Sequence, residues 1–340
     1  MKQGVRGALV AGFLLIAFVL LAGFHWSKPR ILILHSFDGS VRSVVKTNEG
    51  INRILAANRQ PVSVRWHYLE MNRLPDEPAR QLAAAAAQRS IEQFDPDIII
   101  AVDDEAQHYV AYRYADHPKI KLVFTAIDQS PDVYGYLGKN NVTGISELLP
   151  LGAIRETLLS ARSGQPARIA VLTSRTPTGM SRLHQIESFD WAPHKMAGIH
   201  ALPDFASWQK AVNDMAQNVD VILVVSHNGL HASKTDASLV PGTEIVRWLN
   251  EHARPLSIGA SSEYIEEGGA LAIYPSGEEM GELAAVYALD WLKSRGKKNL
   301  PFTESAHFRI GLRESMLSER KLSLPTIYME AAHMENLYYP

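Results

Sequence analysis

The chain has 340 residues, 46% of them hydrophobic and 21% charged, with a formal net charge of −2. That length exceeds one ordinary domain and suits two of ~150 residues each, and the near-neutral balance provides no broad basic field for a nucleic-acid partner. The complete lack of cysteine excludes disulfides, thiolate metal sites, iron–sulfur clusters and cysteine nucleophiles, and it fits an oxidising compartment.

Lys2 and Arg6 precede an uncharged run over residues 7–24. Eighteen residues at 1.5 Å each span about 27 Å, close to the hydrocarbon thickness of a bilayer. The run is therefore expected to form one N-terminal hydrophobic helix, either a cleaved signal peptide or a retained anchor. It ends Leu20-Leu21-Ala22-Gly23-Phe24, with no A-x-A cleavage pattern and with Phe24 where a lipobox requires cysteine. Trp26 suits a membrane–water interface, and the leader charges place the body outside. The expectation is a periplasmic, extracytoplasmic body tethered to the inner membrane through residues 7–24 if these are uncleaved.

Strand-like and helix-like segments then alternate. Strands are predicted over 30–35, 62–69, 97–102 and 121–127, with helices over 44–58, 78–94 and 105–114 between them. The pattern repeats with strands over 168–173, 195–202, 219–225 and 255–260, and helices over 151–161, 181–189, 205–217 and 243–252. A strand over 270–274 leads into a long helix over 278–295, then a small strand over 309–312 and a helix over 313–320. The segment after Pro325 reads as irregular. Strands with continuous apolar character, alternating with helices, predict α/β architecture with parallel sheets covered on both faces. Two arrays in series predict two doubly wound lobes.

Ligands of such sheets sit beyond the carboxyl ends of the strands. The residues following the strands are Ser36-Phe37-Asp38, Asp103-Asp104-Glu105, Thr125 with Asp128, Ser174-Arg175-Thr176, Ser226-His227-Asn228 and Ser261-Ser262-Glu263, with Tyr274 ending a later strand. Small hydroxyls, amides and carboxylates at equivalent places in both arrays suit a ligand clamp. Ser, Thr and Asp also cap helices, so any one of them has a competing structural role. The candidate ligand-binding set is Ser36, Phe37, Asp38, Asp103, Asp104, Thr125, Asp128, Ser174, Thr176, Ser226, Asn228, Ser261, Ser262 and Tyr274. Asp103 and Asp104 lean the ligand toward an amine, or serve as an N-cap and an acidic first turn.

His227 and His231 have the i, i+4 spacing of metal ligands, but Asn228-Gly229 between them argues for a turn, and the Glu of H-E-x-x-H is missing. No G-x-S-x-G, Walker A or G-x-G-x-x-G signature occurs. No metal, cofactor or catalytic residue is expected, and an enzyme with a dispersed active site is the minor alternative.

The segments 97–107, 121–128, 141–150 and 168–179, with Asn141-Val142-Thr143-Gly144 the most specific piece, resemble the substrate-binding proteins of ABC transporters. They are also similar to the extracytoplasmic sensor domains that precede bacterial histidine kinases and diguanylate cyclases, as is the opening 31–37. The resemblance implies a type I periplasmic-binding-protein fold whose chain crosses between lobes near Gly144, Ala272 and Pro301. It implies one lobe of 30–145 with 273–300, a second of 146–272 with 301–330, and a tail over 331–340. It further implies capture of a small molecule, an amino acid or similar metabolite, for an ABC permease. The alternative partner is a membrane signalling protein served by a tethered sensor subunit.

Overall fold

Continuous apolar runs become the centres of two sheets. The computed structural model describes residues 12–18, 28–74, 76–215, 218–320 and 322–340. The first array is β1 (Arg30–His35), α1 (Arg42–Ala57), β2 (Ser63–Tyr68), α2 (Glu77–Phe94), β3 (Ile98–Val102), α3 (Asp104–Tyr109), β4 (Lys121–Ile127) and β5 (Val142–Ser146). The second begins α4 (Leu151–Ala161), β6 (Arg168–Ser174), α5 (Pro177–Glu187), β7 (Lys195–Leu202) and α6 (Phe205–Met215). It continues β8 (Val221–Ser226), α7 (Gly242–His252), β9 (Leu256–Gly259), α8 (Ser262–Glu266) and β10 (Leu271–Pro275). The chain closes with α9 (Gly277–Ser294), β11 (Phe302–Glu304), β12 (Phe308–Arg313), α10 (Glu314–Glu319), α11 (Thr326–Met334) and β13 (Tyr338–Tyr339).

The first sheet has the order β11-β5-β4-β3-β1-β2, and the second β13-β12-β10-β9-β8-β6-β7. Pairing is parallel except between β10 and β12. Both sheets contain the same winding, 2-1-3-4-5, whose direction switches between β1 and β3 in one lobe and between β6 and β8 in the other. Helices cover both faces, so the central strands are apolar all round. In the first lobe Leu32, Ile99 and Phe124 pack with Ala87 and Ile91 of α2. On the opposite face Ile31, Ile33 and Val123 meet Ile51 of α1 and Met280 and Ala284 of α9. The second lobe repeats this with Ile154 and Ile186 beneath Val171 and Leu223, and Trp208 and Ile245 against Leu172 and Ile222. The expected class, two doubly wound α/β lobes, is present.

Sheet membership moves the expected boundaries. All of β10 lies in the second sheet, so the second crossing follows Pro275 rather than Ala272. Phe302 to Glu304 pair with Gly144 to Ser146 in the first sheet, so the third crossing falls between Glu304 and Phe308 rather than near Pro301. The segment after Pro325 is not irregular. Pro325 precedes α11, and Tyr338 and Tyr339 add an edge strand beside β12. The expected helix over 105–114 ends as α at Tyr109 and continues as a 3-10 turn over Ala111–Tyr114. Of the apolar run over 7–24, residues 12–18 are helical and the remainder lies outside the described residues. Among the described residues no helix is long and apolar enough to cross a membrane.

Helix α9 leaves the second sheet and docks on the first, against α1. Glycines make this possible. A Cβ on Gly50 would stand 2.1 Å from the Glu278 carbonyl oxygen, and one on Gly281 would stand 2.1 Å from that of Thr47. The helices therefore touch backbone to backbone. An exposed helical Gly→Ala change usually stabilises. Here Gly50→Ala or Gly281→Ala is expected to cost about 1–3 kcal/mol through overpacking, read as a lowered urea midpoint.

On β1, the His35 ring is fully buried and stacks between Trp66 and Tyr68, with centroids 5.9 and 5.2 Å away. Neither ring nitrogen has a partner at hydrogen-bonding geometry. Burial lowers its pKa from 6.5 to about 4, with the Asn48 side chain opposing weakly. The unfolded chain thus binds this proton more readily than the folded one between those values. The stabilisation is complete above pH 6.5 and is lost as pH falls toward 4, by about 3 kcal/mol. His35→Phe should remove that slope, so the stability difference between variant and parent should change across this window in urea titrations. A flat difference would contradict the assignment.

Candidate functional site

The carboxyl ends of both sheets face a shared cavity of about 320 Å³. Its position follows from the winding, because loops diverge where strand order reverses. From the first lobe it is lined by Phe37 after β1, Asp103 after β3, Ala126 and Asp128 around the end of β4, and the first turns of α1. From the second come Thr176, Ser226, Asn228, Ser261, Ser262 and Tyr274. This volume suits a small metabolite.

Asp103 has an unusual backbone, with φ 74° and ψ 163°, a conformation nearly confined to glycine. Its amide donates to the Thr125 carbonyl at 2.9 Å, and its Oδ1 accepts from the Asp104 amide at 2.9 Å. Ala126, also lining the cavity, has φ 56° where the β4–β5 register shifts. Burial, reinforced by the Asp104 and Asp128 charges, raises the Asp103 carboxyl well above the ordinary carboxylate range.

Nine of the fourteen expected residues therefore line the cavity: Phe37, Asp103, Asp128, Thr176, Ser226, Asn228, Ser261, Ser262 and Tyr274. Five lie behind the lining instead, where they hold it in shape. Ser36 Oγ donates to the Val102 carbonyl at 2.9 Å and accepts from the Ala106 amide at 2.8 Å, tying β1 to β3 and α3. Asp38 organises its own turn through Asn72 at 2.7 Å, Ser40 and Arg73, which lower its pKa to about 2. Asp104 accepts from the Asp128 amide at 3.0 Å and from Tyr134 Oη, while burial and the Asp128 charge raise its pKa to about 6. Thr125 Oγ1 donates to the Met280 carbonyl of α9 at 3.0 Å. Ser174 Oγ bridges Thr176 Oγ1 and Ser226 Oγ, each at 3.1 Å. Thr176 additionally caps α5 through the Gly179 amide at 3.2 Å.

Ion pairs join the lobes across the cavity. Arg182 of α5 donates Nε to Asp128 at 2.7 Å and a terminal nitrogen to Glu147 at 2.6 Å. The three side chains are 12%, 5% and 13% exposed, so the triad is largely desolvated. Burial, with the Asp128 charge in the same sense, pushes the Glu147 carboxyl up to about 8 despite Arg182. Ser181 Oγ adds a 2.6 Å bond to the Asp128 carbonyl. Arg42 of α1 meets Glu266 of α8 at 2.6 Å. On the α9 side, Glu278 receives Lys46 at 2.9 Å and Arg309 of β12 at 3.0 Å, and Arg309 also holds Glu335 at 3.0 Å.

These charged residues were not among the expected set. Arg182, Lys46 and Arg42 sit on helix faces where a lone cation reads as solvated surface. Arg309 reaches the cavity because β12 pairs antiparallel with β10, opposite Tyr274, and Glu335 and Leu337 reach it from the carboxyl-terminal segment that folds back beside β12. Glu147 had a usable signal, since it directly follows β5 and its amide bonds the Ile127 carbonyl at 2.8 Å. His227 lines the cavity with its Nε2 on Glu267, not on a metal-ligand partner, and His231 Nδ1 faces the Ala237 carbonyl at 2.8 Å. Among the described residues no group of three or more His, Asp and Glu side chains could hold a metal ion.

No protein-family model matches the chain, and no curated protein matches it. Solved structures do. A conserved domain protein from Vibrio cholerae is 17% identical with a TM-score of 0.64, over 90% of this chain and 99% of that one. An ABC domain from Streptococcus pneumonia in complex with L-Trp is 17% identical with a TM-score of 0.62, over 89% and 98%. A substrate-binding protein with adhesive properties from Clostridium difficile, ligand-free and open, is 16% identical with a TM-score of 0.65, over 92% and 99%. The chain thus has the periplasmic-binding-protein fold of the type I kind.

Arg182→Met tests the triad. It leaves Asp128 and Glu147 without their cation in a desolvated place, a loss of about 3–5 kcal/mol in analogous buried pairs. The expected result is a lower melting temperature. A variant as stable as the parent would show that the triad does not hold the lobes.

Proposed function

We propose that this protein is an extracytoplasmic solute-binding protein that captures a small molecule between its lobes, without converting it, and presents it to an ABC permease. The observation that carries this is the cavity of about 320 Å³ at both switch points, ringed by hydroxyls and carboxylates from each lobe. The lobes consist of residues 30–146 with 277–304, and 151–275 with 308–340, so three strands of chain form the hinge. Closure about such a hinge buries a ligand that opening releases. Phe37, Asp103 and Asp128 hold it from one side, and Thr176, Ser226, Asn228, Ser261, Ser262 and Tyr274 from the other. The similar fold in the structure from Streptococcus pneumonia holds L-Trp, which supports an amino-acid-sized occupant.

A variant of this function follows from the uncharged run over residues 7–24. If it is retained, the body stays at the inner membrane and its partner is a signalling protein. Mass spectrometry of the mature amino terminus separates the two, since cleavage after residue 22 or 23 leaves no tether.

Ligand binding to the folded state stabilises it by RT ln(1 + [L]/Kd), about 2.7 kcal/mol at a hundredfold excess over Kd. A panel of amino acids, amines, sugars and nucleosides is therefore expected to contain a compound that raises the melting temperature in proportion to log concentration. A panel without any shift would overturn the assignment.

A further inference from the structure

We infer that the ligand is an organic cation without a carboxylate, an amine or guanidine with an apolar body, and this rests on the binding function proposed above. The charge pattern of the cavity carries it. Four cationic side chains line the cavity, and each already has a carboxylate partner. Arg182 is engaged by Asp128 and Glu147, Lys46 and Arg309 by Glu278, and Arg42 by Glu266. Six carboxylates line it, and two of them are in no ion pair among the described residues. These are Asp103 on the first lobe, whose Oδ1 meets only the Asp104 amide, and Glu263 on the second. Glu263 lies within Coulombic reach of Arg182 and Glu147, and Asp103 within that of Glu147.

Ser262 also lines the cavity from the second lobe. Next to it in sequence stands Glu263.

The electrostatics favour a cation over a zwitterion. Asp103 is burdened by desolvation and by the neighbouring charges of Asp104, Asp128 and Glu147. A positive group beside it relieves both effects. A ligand carboxylate would enter the same cavity with every guanidinium and ammonium already paired, leaving it only hydroxyls and amides. Phe37 and Tyr274 line the cavity from opposite lobes and provide faces for an apolar body and for cation–π contact.

The test pairs each amino acid with its decarboxylated amine: tyrosine with tyramine, tryptophan with tryptamine, arginine with agmatine, and lysine with cadaverine. Thermal shift and calorimetry are run on the full chain and on Asp103→Asn and Glu263→Gln. The expected result is binding of at least one amine in clear preference to its amino acid. Asp103→Asn should weaken that amine about ten- to a hundredfold, the range for removing a charged hydrogen-bond partner. Should Asp103→Asn not fold, the amine-to-amino-acid ratio of the parent protein decides alone. An amino acid binding as tightly as its amine, or a neutral sugar binding instead, overturns the cationic ligand and leaves the solute-binding function standing. Equal amine affinity in the parent and in Asp103→Asn overturns it as well. Silence across this set and the wider metabolite panel overturns both.

Discussion

A guanidinium removed from water must be met by carboxylates, and Arg182 is met by two from beyond its own lobe. Its geometry is demanding. The planar fork offers separate N–H groups to Asp128 and Glu147, so both carboxylates must be in place for either bond to be worth its desolvation. Asp128 ends the β4 segment and Glu147 begins the crossover after β5. Holding them together with α5 therefore fixes the first crossing relative to both sheets. The cavity exists in its observed shape because this contact and Arg42–Glu266 hold the two rims at a set separation.

The opposite wall depends on a different kind of contact. Gly50 and Gly281 let α1 and α9 approach until backbone meets backbone, which no side chain at those positions would permit. That approach brings Lys46 to Glu278 at the amino-terminal end of α9, where an acid is also favoured by the helix dipole. Glu278 then reaches Arg309, and Arg309 reaches Glu335. One chain of alternating charges thus runs from the first lobe through the hinge to the carboxyl-terminal segment. Packing sets the positions, and charge reads them out.

Most of the architecture was legible because parallel, doubly covered strands are conspicuous. Ile98 to Val102 and Val221 to Val225 announce buried strands without any partner being known. The cavity lining was partly legible for the same reason, since Asp103, Ser226 and Ser261 stand one step past such strands. What remained hidden is what depends on contacts distant in sequence. Nothing local distinguishes Arg182 from a solvated arginine; its role arises from residues 35 and 54 positions away. Likewise, β11 is three residues long and has no pattern of its own, so only its pairing with β5 reveals its sheet. Ser36 and Thr125 illustrate the converse. They stand at the right strand ends, yet their hydroxyls turn inward to bond backbone carbonyls.

Asp103 sits in a backbone conformation that costs an ordinary residue about 1–3 kcal/mol and glycine almost nothing. Mutation at this codon under selection for stability alone would drift toward glycine, because that one change relaxes the strain and also removes a desolvated carboxyl. An aspartate here is a departure from the fold's own preference. On the binding function proposed above, that strain and desolvation are the stability given up to set a carboxyl in the cavity wall, so a change at position 103 would move recognition and stability in opposite directions.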